Sequence, residues 1–177
     1  MAATIQIREK NGAGETPTDK TSGTVRFKKA DNATVDLVNP LVVPTSLTEY
    51  SYEKWLRLHV ASGTYTQVSN LRSYTDGSSG YGTGIKLWFL PLGAYTTPVI
   101  PSTSNDPPQH SATPFVNAFG YTSGAPLDID AINTGPFDST GVPKDIGDYV
   151  IAVMEVETGA SQGVKTAETI TFAWDEI

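Results

Sequence analysis

Nine of the chain's twelve prolines fall between residues 91 and 147, while the segments on either side alternate apolar and polar residues with period two. Proline fixes φ and lacks an N–H, so it is poorly tolerated in helices and in central strands. The stretch 91–147 is therefore expected to be extended loops that reach out and contact something, with short strands only near 95–100 and 115–121. A structureless insertion of that length in a compact domain is uncommon and usually functional.

The flanking segments read as strands. In 52–60 the apolar residues Leu56, Leu58 and Val60 share one face, and Trp55, Arg57 and His59 the other. Ser62-Gly63 marks a turn, 65–75 reads as a partner strand, and Asp76-Gly77-Ser78-Ser79-Gly80 marks the next turn. Ile85, Leu87 and Phe89 alternate with Lys86, Trp88 and Leu90, so 52–90 reads as a β-meander. The near-continuous apolar run in 148–156 suits a central strand covered on both faces. In 169–174, Ile170, Phe172 and Trp174 share a face. Earlier in the chain, 4–8, 25–28 and 35–38 read as short strands, and 9–23 as a flexible connection with Gly12, Gly14, Pro17 and Gly23.

With 177 residues the chain is long enough for one core-bearing domain. Its excess of Thr, Ser, Gly, Asn and Pro is poor in helix formers. The expected fold is all-β: an antiparallel, jelly-roll-like β-sandwich of about eight strands. An N-terminal arm or edge strand spans 1–23, and a single domain over 24–177 carries the insertion 91–147.

The absence of cysteine excludes disulfides, thiolate-bound zinc and cysteine catalysis. The N-terminus lacks the apolar core of a signal peptide, and no stretch approaches the ~18 apolar residues of a membrane span. The net charge is −7 and uneven: residues 1–90 carry 10 Lys/Arg and 8 Asp/Glu (+2), residues 91–177 carry 2 and 11 (−9). An acidic balance argues against a nucleic-acid partner. The asymmetry fits an N-terminal segment docking on an acidic surface, but solubility is the favoured reading of it.

Motifs for chemistry are sparse. His59 and His110 have no local nucleophile or carboxylate that marks a catalytic set, and each reads as a polar surface or interface residue. Gly80-Tyr81-Gly82-Thr83-Gly84 precedes a strand rather than a helix, so it reads as a hairpin loop and not a phosphate cradle. Asp128 and Asp130, with Asn133 and Asp138 nearby, are candidate calcium ligands, but the spacing lacks the EF-hand pattern. Glu155 and Glu157 share a strand face. No cofactor is implied, and the chain does not read as an enzyme. The aromatics say more. Trp55 and Trp88 lie opposite the Leu56/Leu58/Val60 and Ile85/Leu87/Phe89 faces, so both faces of this sheet carry apolar surface. Either both are covered within the domain, or another chain covers one.

Two stretches resemble tailed-phage virion proteins. One is Tyr52-Glu53-Lys54-Trp55-Leu56-Arg57-Leu58 through Val68-Ser69-Asn70-Leu71-Arg72, continuing into Gly82-Thr83-Gly84-Ile85-Lys86-Leu87. The other is the ending Gly163-Val164-Lys165-Thr166-Ala167-Glu168-Thr169-Ile170-Thr171-Phe172 with its Asp-Glu terminus. They are similar to β-sandwich accessory proteins that decorate or cement a phage capsid. The resemblance covers about half the chain and rests on pattern, and it carries over no functional residues.

The resemblance implies a virion protein on the capsid surface, assembled in the host cytoplasm. Its partners would be the major capsid protein and further copies of itself, often as a homotrimer, with no nucleic acid and no membrane. The candidate contacts are Trp55, Trp88, Tyr95, Phe115, Phe119 and Phe137, with the basic set Arg26, Lys28 and Lys29. A tail or head–tail connector component belongs to the same class. A carbohydrate-binding or lectin-like sandwich, with aromatic platforms and calcium at Asp128/Asp130, is the alternative from another class.

Overall fold

A computed structural model describes residues 2–163 and 165–177. Met1 of the N-terminal segment and Val164 of the C-terminal resemblance lie outside the described residues. The chain is all-β and antiparallel. Its strands are β1 (Thr4–Asn11), β2 (Thr16–Asp19), β3 (Glu49–Tyr50), β4 (Lys54–Ser62), β5 (Val68–Tyr74), β6 (Ile85–Leu92), β7 (Gln109–His110), β8 (Thr113–Pro114), β9 (Val116–Asn117), β10 (Leu127–Asp128), β11 (Lys144–Val156) and β12 (Thr171–Glu176), with one 3₁₀ turn at Ala118–Gly120. Seven strands form a large sheet in the order β2-β1-β4-β11-β6-β9, with β3 joined to β11. A small sheet runs β10-β5-β12, and β7 pairs with β8.

The two larger sheets pack face to face in a sandwich-like arrangement. Leu56, Leu58 and Val60 of β4, Leu87 and Phe89 of β6, and Val150 and Ala152 of β11 meet Val68 and Leu71 of β5, Leu127 of β10 and Phe172 of β12. The alternation read from β4, β6 and β12 thus marks the inner face.

Strand β11 is central, as its apolar run requires. Val150 and Ala152 bury on one face, and Ile151 and Val153 on the other. It lies between β4 and β6, with Val150 opposite Leu56 and Ile151 opposite Leu90. The expected meander over 52–90 is therefore incorrect: β5 belongs to the other sheet, and β11 fills the place beside β4. A period of two identifies a buried face but not a neighbour, and the strand with two apolar faces is the one that both flanks can accept.

The N-terminal segment also differs. Residues 9–23, expected as a flexible connection, continue β1 and form the hairpin β1–β2, with Glu9 opposite Thr18 and Lys10 opposite Pro17. β1 pairs along its length with β4, so the segment is built into the sheet and β2 forms its edge. Residues 25–28 and 35–38 are not strands. Val25 and Phe27 still pack against the core, but no strand partners their backbone.

The proline-rich stretch does not reach outward along its whole length. Tyr95, Ile100 and Phe115 fold back onto the outer face of the large sheet, against Tyr50, Trp55, Leu90, Tyr149, Ile151 and Val153. This loop forms a third layer, which leaves the large sheet covered on both sides. Of the short strands expected here, 95–100 has no regular structure, and 115–121 contains only β9 and the 3₁₀ turn. Pro91 sits in β6 beyond the end of β9, where β6 has a neighbour on one side only.

Candidate functional site

Three strands cannot cover the inner face of seven. The uncovered end is roofed by residues 20–48, 161–163 and 165–170, which have no regular structure and leave an open cleft of about 1080 Å³. Ile7, Leu56, Ile85, Met154 and Phe172 line its floor, and Val25 and Val43 its roof.

Lysines fasten the roof, Lys54 from β4 beneath it and Lys20 and Lys28 from within it. Lys20 Nζ donates to the carbonyls of Thr24 (3.1 Å) and Ala33 (2.8 Å). Lys54 Nζ donates to the Asn32 carbonyl at 2.9 Å. Lys28 donates to Asn32 Oδ1 and to the Thr34 carbonyl. Lys29 N–H donates to the Asn39 carbonyl at 2.9 Å and closes residues 29–39 into a compact loop of the Ω type. At its tip Asp36 accepts from the N–H groups of Val38 (2.9 Å) and Asn39 (3.2 Å), and Asn39 Nδ2 donates back to it at 2.8 Å. These bonds, Asn39 first, hold the Asp36 carboxyl below its ordinary value.

This turn pushes apolar side chains into solvent. Leu37 and Val38 are each 87% exposed, and Val35, Val42 and Leu47 are exposed beside them. Five of the nine exposed large apolar side chains among the described residues thus fall within 35–47. Scattered exposed apolar residues are ordinary, but a cluster on a fastened loop marks an interaction surface. In the sequence, Val35-Asp36-Leu37-Val38 reads as a strand, which conceals this cluster. Asp36 followed by Asn39-Pro40 is the turn signal that marks it.

The interface residues expected from the sequence divide into three places. Trp55 and Phe115 are buried within the chain, so they offer no contact surface. Trp55 meets Tyr95, His110 and Tyr149 edge-on, with ring centroids 5.1, 5.4 and 5.5 Å away. Lys28 is also buried, its ammonium spent inside the loop. Tyr95 is half-buried, its hydroxyl donating to the Gly12 carbonyl at 2.7 Å. Trp88 is half-buried, and its indole N–H donates to Glu155 Oε2 at 2.6 Å. Phe119 and Phe137 pack against the inner core from its edge. Only Arg26 is exposed. Lys29 is partly so, donating to the Tyr50 carbonyl at 3.3 Å and pairing with Glu49 at 3.4 Å.

Neither histidine is a surface residue. His59 Nδ1 lies 2.6 Å from Asp145 Oδ1, and Lys10 Nζ lies 2.9 Å from Asp145 Oδ2. Burial pushes the Asp145 carboxyl up, but the bonds from Lys10 and His59 outweigh it and hold the group below its ordinary value. His110 Nδ1 lies 2.7 Å from Glu53 Oε1, and both side chains are buried. No sequence signal links Glu53 to His110 across that separation.

The calcium candidates form a pair rather than a cage. Asp130 N–H donates to Asp128 Oδ1 at 3.0 Å, and burial, with the facing Asp128, raises the Asp130 carboxyl. Among the described residues no group of three or more His, Cys, Asp or Glu side chains is arranged to hold a metal ion. The buried acid nearby is Asp148, which caps the loop before it by accepting from the N–H groups of Ile132 (2.9 Å) and Asn133 (2.7 Å).

No family model, curated protein or solved structure matches this chain.

Proposed function

We propose that this chain is a virion structural protein, a capsid decoration (cement) protein that binds the major capsid protein across subunit boundaries. The observation that carries the reading is the apolar tip of the 35–47 loop, held out on a lysine-fastened base. Fully burying a Leu or Val side chain is worth roughly 1.5–3 kcal/mol. Leu37, Val38 and Val35 together therefore supply several kcal/mol on docking, and a fastened loop loses little conformational freedom when it docks. A protein that binds only the assembled shell stabilises that shell by mass action. The resemblance of 52–87 and 163–172 to phage accessory proteins supports the same reading, with self-association as a trimer at local symmetry axes.

The carbohydrate-binding alternative is less well supported. Its aromatic platform would need exposed rings, whereas Trp55 is buried and the Trp88 N–H is already bonded to Glu155.

The test is quantitative mass spectrometry of density-gradient-purified particles, with rebinding of purified protein to stripped heads. The expected result is many copies per particle and rebinding that falls at least tenfold in Leu37→Ser/Val38→Ser. Absence from particles sinks the proposal, and a few copies confined to tails assigns the chain to a tail or connector role instead.

A further inference from the structure

Glu53, His110 and Thr96 form a line from the interior to the surface. Both oxygens of the buried Glu53 carboxylate are engaged. Oε1 meets His110 Nδ1 at 2.7 Å, and Oε2 accepts from Trp55 Nε1 and from the Val99 N–H, each at 3.2 Å. A carboxylate accepts only, so the hydrogen of the His110–Glu53 bond belongs to Nδ1. With that hydrogen on Nδ1, the unprotonated form of the ring has its lone pair on Nε2, and Thr96 Oγ1 lies 3.2 Å from that nitrogen. The Trp55 ring meets the imidazole edge-on at 5.4 Å and fixes its plane. Thr96 itself is exposed.

A hydroxyl in contact with the free nitrogen of an imidazole, whose other nitrogen is held by a carboxylate, is the arrangement that activates an oxygen nucleophile. Fastening the loop does not need it. Val99 and Glu53 already bond through their backbones at 2.9 Å, and the His110–Glu53 contact ties down the far end of the loop. The Thr96 contact adds a polarised hydroxyl at the surface.

We propose that Thr96 is an activated nucleophile that takes an acyl group from esters. Thr96 Oγ1 attacks the ester carbonyl carbon, and its proton passes to His110 Nε2 as the new C–O bond forms. The tetrahedral adduct collapses, the bond to the leaving alcohol breaks, and His110 returns the proton to that alcohol. Thr96 is left as an ester. Water, deprotonated by the same nitrogen, then releases the carboxylic acid and restores the hydroxyl. Glu53 is a positioning residue, which orients His110 and stabilises it when protonated. Val99, whose N–H binds the same carboxylate and whose side chain is exposed, borders the site and suits a short apolar acyl group. The γ-methyl of threonine crowds the attacking oxygen, so turnover is slow.

The experiment treats the full chain with p-nitrophenyl acetate at neutral pH. It follows nitrophenolate release and maps the acetyl group by peptide mass spectrometry. The neighbouring Thr97, also exposed, is an internal control. The expected result is acetyl on Thr96 at least tenfold above Thr97, absent in Thr96→Val, at least tenfold slower in His110→Gln, and faster in Thr96→Ser. Glu53→Gln is expected to shift the pH profile of labelling, which a loss of packing alone would not do. Equal labelling of Thr96 and Thr97, acetylation confined to lysines, or a wild-type rate in folded His110→Gln overturns the proposal.

Discussion

Lys54 Nζ lies 3.3 Å from Glu9 Oε1, and neither side chain reaches solvent. The pair occupies the inner face where β1 and β4 run past the small sheet, with Lys20 Nζ 3.5 Å from Glu9 Oε2. Burial draws the Lys54 amine below its ordinary value, and Glu9 opposes that shift without cancelling it. Between the folded value and ~10.4 the unfolded chain binds the proton more tightly. Stability from this group therefore rises with pH across that window. Breaking a buried pair strands a charge, so Glu9→Gln is expected to cost about 3–5 kcal/mol in urea unfolding. Replacing both partners, Glu9→Leu with Lys54→Met, is expected to cost far less than the two single changes added together.

Asp130 gives the opposite sign to Asp145. Its carboxyl is raised by burial and by Asp128, so the native state holds the proton more tightly than the unfolded chain. That group's contribution is fully present below ~3.9 and is lost as pH rises through the folded value. The expected outcome for Asp130→Asn is a higher melting temperature at pH 7 and a difference that vanishes near pH 3. For Asp145→Asn the melting temperature is expected to fall at pH 7, because its lowered carboxyl contributes above ~3.9 and loses that contribution as pH falls through the folded value. Calorimetric scans of both variants at the two pH values check the pair of signs.

What the sequence revealed and what it hid have separate physical causes. Period two exposes which face is buried, so Leu56, Leu58, Val60 and Phe172 were legible, as was the doubly covered β11. Pairing is a property of the whole sheet, so the insertion of β11 between β4 and β6 was hidden. Proline density argues against long strands over 91–147, and this holds for 93–143, whereas β6 runs on to Leu92 and β11 already begins at Lys144. It could not show that Tyr95 and Phe115 turn inward, because apolar rings in a loop serve a core and an interface equally well. Trp55, on β4, reads as an interface residue because period two does not reveal that this loop covers its face. The exposed Leu37 and Val38 were hidden by a four-residue pattern that fits a strand, while the Asp36 turn that displays them depends on side-chain bonds to the backbone.

Gly147 sits at the register shift of β11 against β4, with φ at +66°. A Cβ there would lie 2.5 Å from Leu71 Cδ1 and 2.6 Å from the Ile129 carbonyl oxygen. The backbone oxygen has little room to move, because its carbonyl also accepts the Asp148 N–H at 2.6 Å. A non-glycine residue in the left-handed region is strained in its own right, at about 1–3 kcal/mol. Gly147→Ala is therefore expected to lower stability by about 3 kcal/mol or more in chemical denaturation, since strain and overpacking add. Gly141, which also has a positive φ but open space around it, is the control, with Gly141→Ala costing only the conformational strain.

The third layer makes a prediction that separates a packed loop from a free one. Phe115 is buried against the outer face of the large sheet, and its N–H donates to the Pro108 carbonyl at 2.9 Å. Truncating a buried phenylalanine costs about 3–5 kcal/mol when the neighbours cannot collapse into the space. Here the neighbours are β-strand side chains, Ile151 and Val153 among them, fixed by the sheet. Phe115→Ala is expected to lose most of that range and to release residues 95–115 to rapid hydrogen exchange, while β4, β6 and β11 stay protected. Leu37→Ser, on the exposed loop, is expected to change stability by less than about 0.5 kcal/mol. If Phe115→Ala left exchange over 95–115 unchanged, the proline-rich stretch would not be held by its aromatic contacts to the sheet.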